Sequence, residues 1–354
     1  MGMLYENIMR PFLFRQDPED AHERVISGLK VLGRFNSILR LMEHFNGTKS
    51  YSPIELFGLK FPTLVGLAAG FDKNAECWNV LPAFGFGFIE IGTVTAHEQP
   101  GNQRPRMFRI PEREALINRM GFNNNGSKAV AARLSQQLCW NKRTVPLGIN
   151  IGKSKVVTVD QAIDDYLASF NDLADYADYF AINVSSPNTP DLRKLQRKGY
   201  IEDLLAILSK ANEDRAKKLG VRRIPMLLKI APDLKFTEID VIIESLLNAG
   251  FDGIIATNTM IGRPESLKKY SEVGGLSGRP IHKKAVNIVN YIYRSTSGKL
   301  PIIGVGGITD VKTAGDMLDA GASLIQIYTG MVYRGPFFAR DVAKAVCWRQ
   351  RDWL

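Results

Sequence analysis

The chain has 354 residues, a formal net charge of +10, 45% hydrophobic and 23% charged residues, ordinary proportions for a soluble globular protein and a length that suits one α/β barrel. No apolar run approaches the roughly 18 residues of a membrane span. Cys77, Cys139 and Cys347 stand too far apart for a disulfide framework or for a zinc or iron–sulfur site, so no metal is expected and a reducing cytoplasm fits.

At the start, Glu6 and Arg10 interrupt any signal-peptide core, and Glu6 breaks a myristoylation motif after Met1-Gly2. Tyr5 to Phe14 is largely apolar. Asp17 before Pro18 supplies an N-cap and a first helical position, after which Ala21, Val25, Leu29 and Leu32 share one helical face. Phe35, Ile38, Leu39, Met42 and Phe45 form a second stripe, stopped by Asn46-Gly47. Two readings stand for this pair: helices packed on the protein's own core, or an amphipathic hairpin whose apolar faces meet a bilayer or a greasy ligand. Residues 1–50 are read as a helical extension and residues 51–354 as the main unit.

From Leu64 a βα alternation begins and does not stop. The expected strands are Leu64–Ala69, Phe88–Val94, Leu147–Ile151, Tyr179–Val184, Met226–Ala231, Gly253–Asn258, Pro301–Val305 and Ser323–Tyr328. Helical signals follow each, after Asp72, Ser127, Asp160, Tyr200, Thr237, Pro280, Asp310 and Pro336. Eight such units predict an α/β fold, a (β/α)8 TIM barrel carrying the N-terminal amphipathic extension. A small hairpin is expected over the barrel mouth from Arg106 to Asn118. The basic clusters, among them Arg193-Lys194 and Arg215 to Arg223, fall away from the strand ends as solvated faces do. No aromatic residues interleave with them as a base-stacking platform requires, so nucleic acid is not the expected partner. Anionic lipid or small anionic molecules fit the charge as well.

Barrels of this kind place their chemistry at the C-terminal strand ends. Here those ends hold Ala69 to Lys73, Gly92-Thr93, Asn150, the run Asn183-Val184-Ser185-Ser186-Pro187-Asn188-Thr189-Pro190, Lys229, Thr257-Asn258-Thr259, Gly304 to Gly307, and Tyr328-Thr329. The set is amides, hydroxyls, glycines and two lysines, without histidine or a carboxylate cluster. Metal hydrolysis and paired-carboxylate glycosidase chemistry lack their groups. His22, His44, His97 and His282 lie elsewhere in the pattern, so a His-assisted nucleophile is unsupported. Such a lining suits a flat heteroaromatic cofactor and a small anionic, amide-rich substrate. The glycines after the seventh and eighth strands, with Gly274 to Gly278 on the loop before, place a phosphate site.

With these residues in place the chain resembles the dihydroorotate dehydrogenases, and specifically their membrane-associated, quinone-linked class 2. The resemblance rests on Leu67–Lys73, Ile89–Thr95, Pro100-Gly101, Asn118–Asn123, Gly148–Gly152, Asn183–Pro190, Lys229–Asp233, Ala256–Thr259, Gly274–Pro280 and Ile303–Ile308, in the same order, and on Asp17 to His22 as a class 2 extension. It implies FMN-dependent oxidation of dihydroorotate to orotate in pyrimidine synthesis, with hydride passing to FMN and a quinone as final acceptor. By the same resemblance Ala69, Gly70, Phe71, Asp72, Lys73, Thr93, Asn150, Asn183, Lys229, Thr257, Gly278, Gly307, Tyr328 and Thr329 bind FMN. Lys73, Asn118, Arg119, Met120, Gly121, Phe122, Asn183, Asn188, Asn258 and Thr259 hold the substrate. Ser186 is the base, where class 1 relatives place Cys, and His22, Arg109 and Tyr328 mark the quinone site. Thr329 departs slightly from relatives with Ser, and either residue supplies a hydroxyl and an N–H.

The chemistry agrees with these roles. Lys229 at a strand end stabilises charge developing on a flavin, and Lys73 pairs with a carboxylate. Serine is a poor base with no His beside it in sequence, so Ser186 is expected to pass its proton through Thr189 or a water, placement mattering more than acidity. The barrel is expected to carry every FMN and substrate contact by itself, leaving the first fifty residues for the quinone. Peripheral attachment at the cytoplasmic side of the cell membrane is expected, with no obligate protein partner. Two alternatives remain: a related FMN barrel with a soluble acceptor such as fumarate or NAD, and a basic barrel that binds nucleic acid or membrane without catalysis.

Overall fold

The computed structural model describes residues 2–46, 53–138, 143–189 and 191–347; Gly47 of the first helical stop, Cys139 and Pro190 lie outside them. Eight strands close into a barrel in which every pair is parallel: β3 (Val65–Leu67), β4 (Phe88–Val94), β7 (Leu147–Ile151), β8 (Tyr179–Asn183), β9 (Met226–Ile230), β10 (Gly253–Ala256), β12 (Ile302–Val305) and β13 (Leu324–Ile327), the last pairing back onto β3. Each lies within two residues of its expected bounds. The strands are buried on both faces, which is why they read as continuous apolar runs instead of alternating ones.

Helices α5 (Ser127–Leu138), α6 (Ala162–Leu173), α7 (Lys198–Leu219), α8 (Phe236–Asn248), α9 (His282–Ser295), α10 (Val311–Asp319) and α12 (Phe338–Val346) follow the expected strands, and a short α11 (Thr329–Arg334) follows β13. The helix expected after Asp72 does not form. Both Asp72 oxygens are taken by backbone N–H groups, of Glu76 and Cys77 at 2.8 Å each, Ala75 sits at φ 57°, and only a 3₁₀ turn, Leu81–Phe84, follows. A left-handed residue cannot propagate an α-helix.

The N-terminal segment packs against this 3₁₀ turn instead. It comprises α1 (Gly2–Leu4), a π turn over Tyr5–Met9, α2 (Arg10–Phe14), α3 (Pro18–Leu32) and α4 (Asn36–Asn46). Asp17 caps α3 as expected, its Oδ1 accepting from Glu19 N at 2.8 Å and Asp20 N at 3.2 Å. Of the α4 stripe only Leu39 is buried, whereas Phe35, Ile38 and Phe45 face outward.

Two pieces escaped the sequence reading. A hairpin of β1 (Ile54–Leu56) and β2 (Leu59–Phe61) packs at the N-terminal barrel end, where Phe61 meets the Phe88 ring edge-on at 5.3 Å. At the other mouth the expected hairpin, β5 (Met107–Ile110) with β6 (Ala115–Asn118), gains a third strand, β11 (Gly275–Gly278), where only a loop was anticipated. With glycines at two of its four positions, β11 has almost no side-chain periodicity to read. Leu276 carries its burial, inside a small core with Ile110, Ile117 and Ile281.

Candidate functional site

The register lines up the C-terminal ends of four strands, with Gly92 beside Asn150 and Asn183 beside Lys229. Thr93 Oγ1 donates to Asn150 Oδ1 at 2.5 Å, and Asn183 Nδ2 donates to both, at 3.0 Å and 3.1 Å. Asn150 Nδ2 in turn donates to Glu90 Oε1 at 2.9 Å, and Lys229 Nζ reaches the same oxygen at 3.1 Å. Burying a carboxylate requires donors around it. Gln326 Nε2 at 2.7 Å and the Tyr179 hydroxyl at 3.4 Å complete the set on Oε2. Burial and the Glu90 charge push the Tyr179 phenol well up, so it remains a donor.

Over this floor opens a cavity of about 1120 Å³, its mouth included. Ala69, Gly70, Lys73, Thr93, Lys229 and Thr257 line one side, and Asn118, Met120, Gly121 and Phe122 of the flap line another. The loop after β8 supplies Ser186 and Asn188, and that after β10 supplies Asn258 and Thr259. Asn258 Nδ2 bridges Asn183 Oδ1 (3.2 Å) and Ser185 Oγ (3.0 Å), while Asn188 Nδ2 reaches Asn118 O at 3.1 Å. Ser186 Oγ accepts from Asn188 N at 3.2 Å. Thr189 Oγ1 is buried with no hydrogen-bond partner among the described residues. Lys73 has no hydrogen-bond or ion-pair partner among the described residues, and burial lowers its amine to about 8 against the opposing pull of Glu19.

The glycine-rich end of the cavity is built from backbone. Gly306 and Gly307 turn at φ 134° and 68°, and a Cβ on Gly307 would lie 2.6 Å from His282 Cβ. At Gly278 a Cβ would lie 2.2 Å from Glu114 O. Only glycine lets these loops approach each other and a ligand so closely. Thr329 Oγ1 donates to Ser277 Oγ at 2.9 Å, tying α11 to β11. A group ending in phosphate, with a flat ring toward Lys229, fits this lining.

A second cavity of about 1360 Å³ lies behind the first and shares Met107, Leu116 and Tyr328 with it. Its wall is apolar: the α3 stripe of Ala21, Val25, Leu29 and Leu32 faces it, together with Leu13, Phe14 and Phe71. Its few polar groups include His22, Arg109 and Tyr328, the three residues expected at a quinone site. Burial first, then the Lys73 charge, brings His22 down to about 3, and burial raises the Tyr328 phenol to about 12. Both are therefore neutral at working pH. Arg109 donates to Gln16 O at 2.7 Å, with its guanidinium 4.7 Å from the centre of the Phe14 ring.

Some expected residues are not brought to the first cavity. Phe71 faces the second, and Asp72 is buried as a turn cap. Arg119 points outward over the Phe108 ring, with Nη2 on Pro105 O at 2.8 Å. Asn150 and Asn183 lie beneath the lining, in the floor network. Residues the sequence reading missed include Glu90 and Gln326. Glu90 did leave a signal: one carboxylate inside the apolar run Phe88–Val94.

The sequence model of the family described as dihydroorotate dehydrogenase matches residues 52–347. This chain belongs to that family. It is 47% identical over 350 residues to the dihydroorotate dehydrogenase (quinone) of Salinispora arenicola, covering 97% of this chain and 99% of that one. The protein of the same name from Idiomarina loihiensis is 45% identical over 337 residues, covering 95% and 98%. Among solved structures, DHODH from Eimeria tenella in complex with ferulenol superposes with a TM-score of 0.81 at 37% identity, covering 93% of this chain and 90% of that one. Its ligand-free form gives 0.78 at 39% identity, covering 87% and 93%. The class 2 resemblance read from the motifs therefore holds.

In this member of the dihydroorotate dehydrogenase family α3 also braces, from outside the barrel, a loop beside the first cavity. Glu19 of α3 is buried and receives Arg106 Nη2 at 2.7 Å and Nε at 3.0 Å. Arg106 Nη1 holds Pro100 O and Asn102 O at 2.6 and 2.7 Å, and Asn102 Nδ2 reaches Asn188 O at 3.2 Å. Removing one partner of a buried pair strands the other. Glu19→Gln is expected to cost about 3–5 kcal/mol of stability, and adding Arg106→Met should recover most of it, read as thermal unfolding of the full chain. Identical unfolding of Glu19→Gln and wild type would show that the pair braces nothing.

Proposed function

We propose that this chain oxidises dihydroorotate to orotate with FMN in the barrel-mouth cavity and delivers the electrons to a quinone in the second. The observation that carries the reading is the pair of back-to-back cavities sharing Tyr328, one carrying amides, hydroxyls and two lysines in its lining and the other almost wholly apolar. FMN, when bound, supplies a two-electron acceptor. Ala69, Gly70, Thr93, Lys229 and Thr257 would hold its ring and Gly278, Gly307 and Thr329 its phosphate, with Asn150 and Asn183 keeping Thr93 in place. Lys73 would take the substrate carboxylate, and the amides of Asn118, Asn188 and Asn258 its ring polar atoms. Ser186 takes the proton. Among the described residues its hydroxyl is bonded only by the Asn188 N–H, which would orient it, and a water reaching Thr189 Oγ1 would carry the proton away.

An apolar cavity with neutral His22 and Tyr328 suits an uncharged lipid-soluble acceptor better than fumarate or NAD. Around its helices Met3, Leu4, Ile8, Phe12, Phe35 and Phe45 are each more than half exposed, and Arg10, Arg15, Arg34 and Arg40 lie on the same segments. No described helix is long and apolar enough to cross a membrane. Attachment to the cytoplasmic face of the cell membrane by this surface follows as part of the proposal.

The deciding experiment is dihydroorotate oxidation assayed in parallel with a quinone, fumarate and NAD; turnover only with fumarate or NAD would remove the quinone reading. Ser186→Ala should keep FMN and bind orotate while slowing single-turnover flavin reduction by roughly 10²–10⁴-fold, and an unchanged rate would assign the proton to another group. Because Lys73 must be charged to hold a carboxylate and loses its proton near pH 8, orotate affinity should be flat below that pH and fall about tenfold per unit above it. Lys73→Arg should move that fall out of range; an affinity that rises with pH would exclude Lys73 as the carboxylate partner. Replacing Phe12, Phe35 and Phe45 together with Ser should weaken binding to anionic vesicles by about 100-fold, at about 1 kcal/mol per ring, without slowing flavin reduction. Undiminished vesicle binding would place the membrane surface elsewhere.

A further inference from the structure

One buried group takes no part in the chemistry above. Glu90 sits inside the barrel on β4, outside the cofactor cavity, and both its oxygens are fully engaged. Asn150 and Lys229 donate to Oε1 at 2.9 and 3.1 Å, and Gln326 and Tyr179 to Oε2 at 2.7 and 3.4 Å. These partners come from β7, β9, β13 and β8, so one carboxylate ties together much of the barrel wall. The sequence makes room for it. At Gly148 a Cβ would lie 2.0 Å from the Tyr179 ring, so glycine there lets the phenol reach across the interior.

The geometry has a direction. A carboxylate only accepts, so the Gln326 amide must turn its NH₂ to Glu90 and its oxygen the other way. That Oε1 is buried without a partner among the described residues, and both Gln326 and Lys229 line the first cavity. Two polar groups of the cavity are thus aimed by a third that never reaches it. Lys229 alone would present a full positive charge to whatever lies over the floor, and a counter-charge 3.1 Å away offsets much of that field.

We propose that Glu90 is the positioning residue of the redox centre: it holds Lys229 at the cavity floor, offsets its charge, and so sets the electrostatic potential felt by the bound flavin. The inference rests on the flavin reading above. Neutralising Glu90 leaves an unopposed cation beside a ring that gains electrons, which favours the reduced form.

The test uses the full chain loaded with FMN. Glu90→Gln keeps the side-chain shape and should hold FMN at wild-type stoichiometry. Its midpoint potential, read by equilibration with indicator dyes, should rise by at least about 30 mV, a tenfold change in the reduced-to-oxidised ratio of a two-electron couple. Glu90→Asp, which keeps the charge, should stay near the wild-type potential. An unchanged potential in Glu90→Gln, or an equal shift in Glu90→Asp, overturns the proposal. Should Glu90→Gln fail to take up FMN, Lys229→Met is added to it. Recovery of FMN binding in the double variant supports the pairing, because neutralising both partners removes the stranded charge. A double variant that stays empty while Lys229→Met alone loads shows that Glu90 serves other partners, and overturns it. A wild-type chain that takes up no FMN removes the flavin reading itself, whatever Glu90 does.

Discussion

A closed parallel barrel seals its interior from water, so every polar side chain on an inward position must find its partners inside. The site is the solution to that constraint. Thr93, Asn150, Asn183 and Glu90 satisfy one another across adjacent strands, and their orientation follows from the accounting of donors and acceptors. Asn183 shows the economy of it: its NH₂ holds the floor, while its oxygen anchors Ser185 and Asn258, the bases of two substrate loops. Beside this network Lys73 lines the first cavity with no hydrogen-bond or ion-pair partner among the described residues. A buried amine held near 8 by desolvation is poised to gain from an incoming carboxylate.

The same logic divides the two cavities. Their common wall is Tyr328 with Met107 and Leu116, so the end of β13 and the flap together separate a polar chamber from an apolar one. In the apolar chamber burial keeps His22 and Tyr328 uncharged, and Arg109 is occupied by Gln16 O and the Phe14 ring. A ligand entering there meets hydrogen-bonding groups without having to neutralise a free charge, which suits a carbonyl compound with an apolar tail.

Much of this was legible in the sequence because the signals were local. The eight strands announce themselves as short β-branched runs, and Asp17-Pro18 marks the α3 start by capping chemistry alone. Polar clusters such as Asn183 to Thr189 mark strand ends because they interrupt apolar runs. What was not legible depends on distance. β11 exists only because β6 lies beside it, and Glu90 matters only because Lys229, 139 residues away in sequence, comes to 3.1 Å. The helix missing after Asp72 shows the opposite error. A helix was expected after Asp72, whose oxygens do take two backbone N–H groups, but Ala75 turns left-handed and the N-terminal helices pack beside the resulting turn. Motif reading also overreached at Arg119, which shares a motif with cavity residues yet points outward, since neighbours along an irregular loop need not face the same way.

The boundary between extension and barrel is softer in three dimensions than in sequence. Tyr5 hydroxyl donates to Val332 O at 2.7 Å, Arg10 to Tyr333 O at 2.9 Å, and Arg334 pairs with Glu6 at 3.2 Å. All three partners lie on α11, whose first residue, Thr329, stands in the proposed phosphate cradle. On the other side Glu19 holds Arg106, and through it the loop that touches Asn188. The extension therefore grips α11 on one side and the loop beside the first cavity on the other, while its apolar stripe walls the second cavity. A ligand that fills the second cavity presses on α3 and the π turn, and both elements are bonded to segments that line the first. The two cavities thus share a scaffold of these side chains as well as the Tyr328 wall.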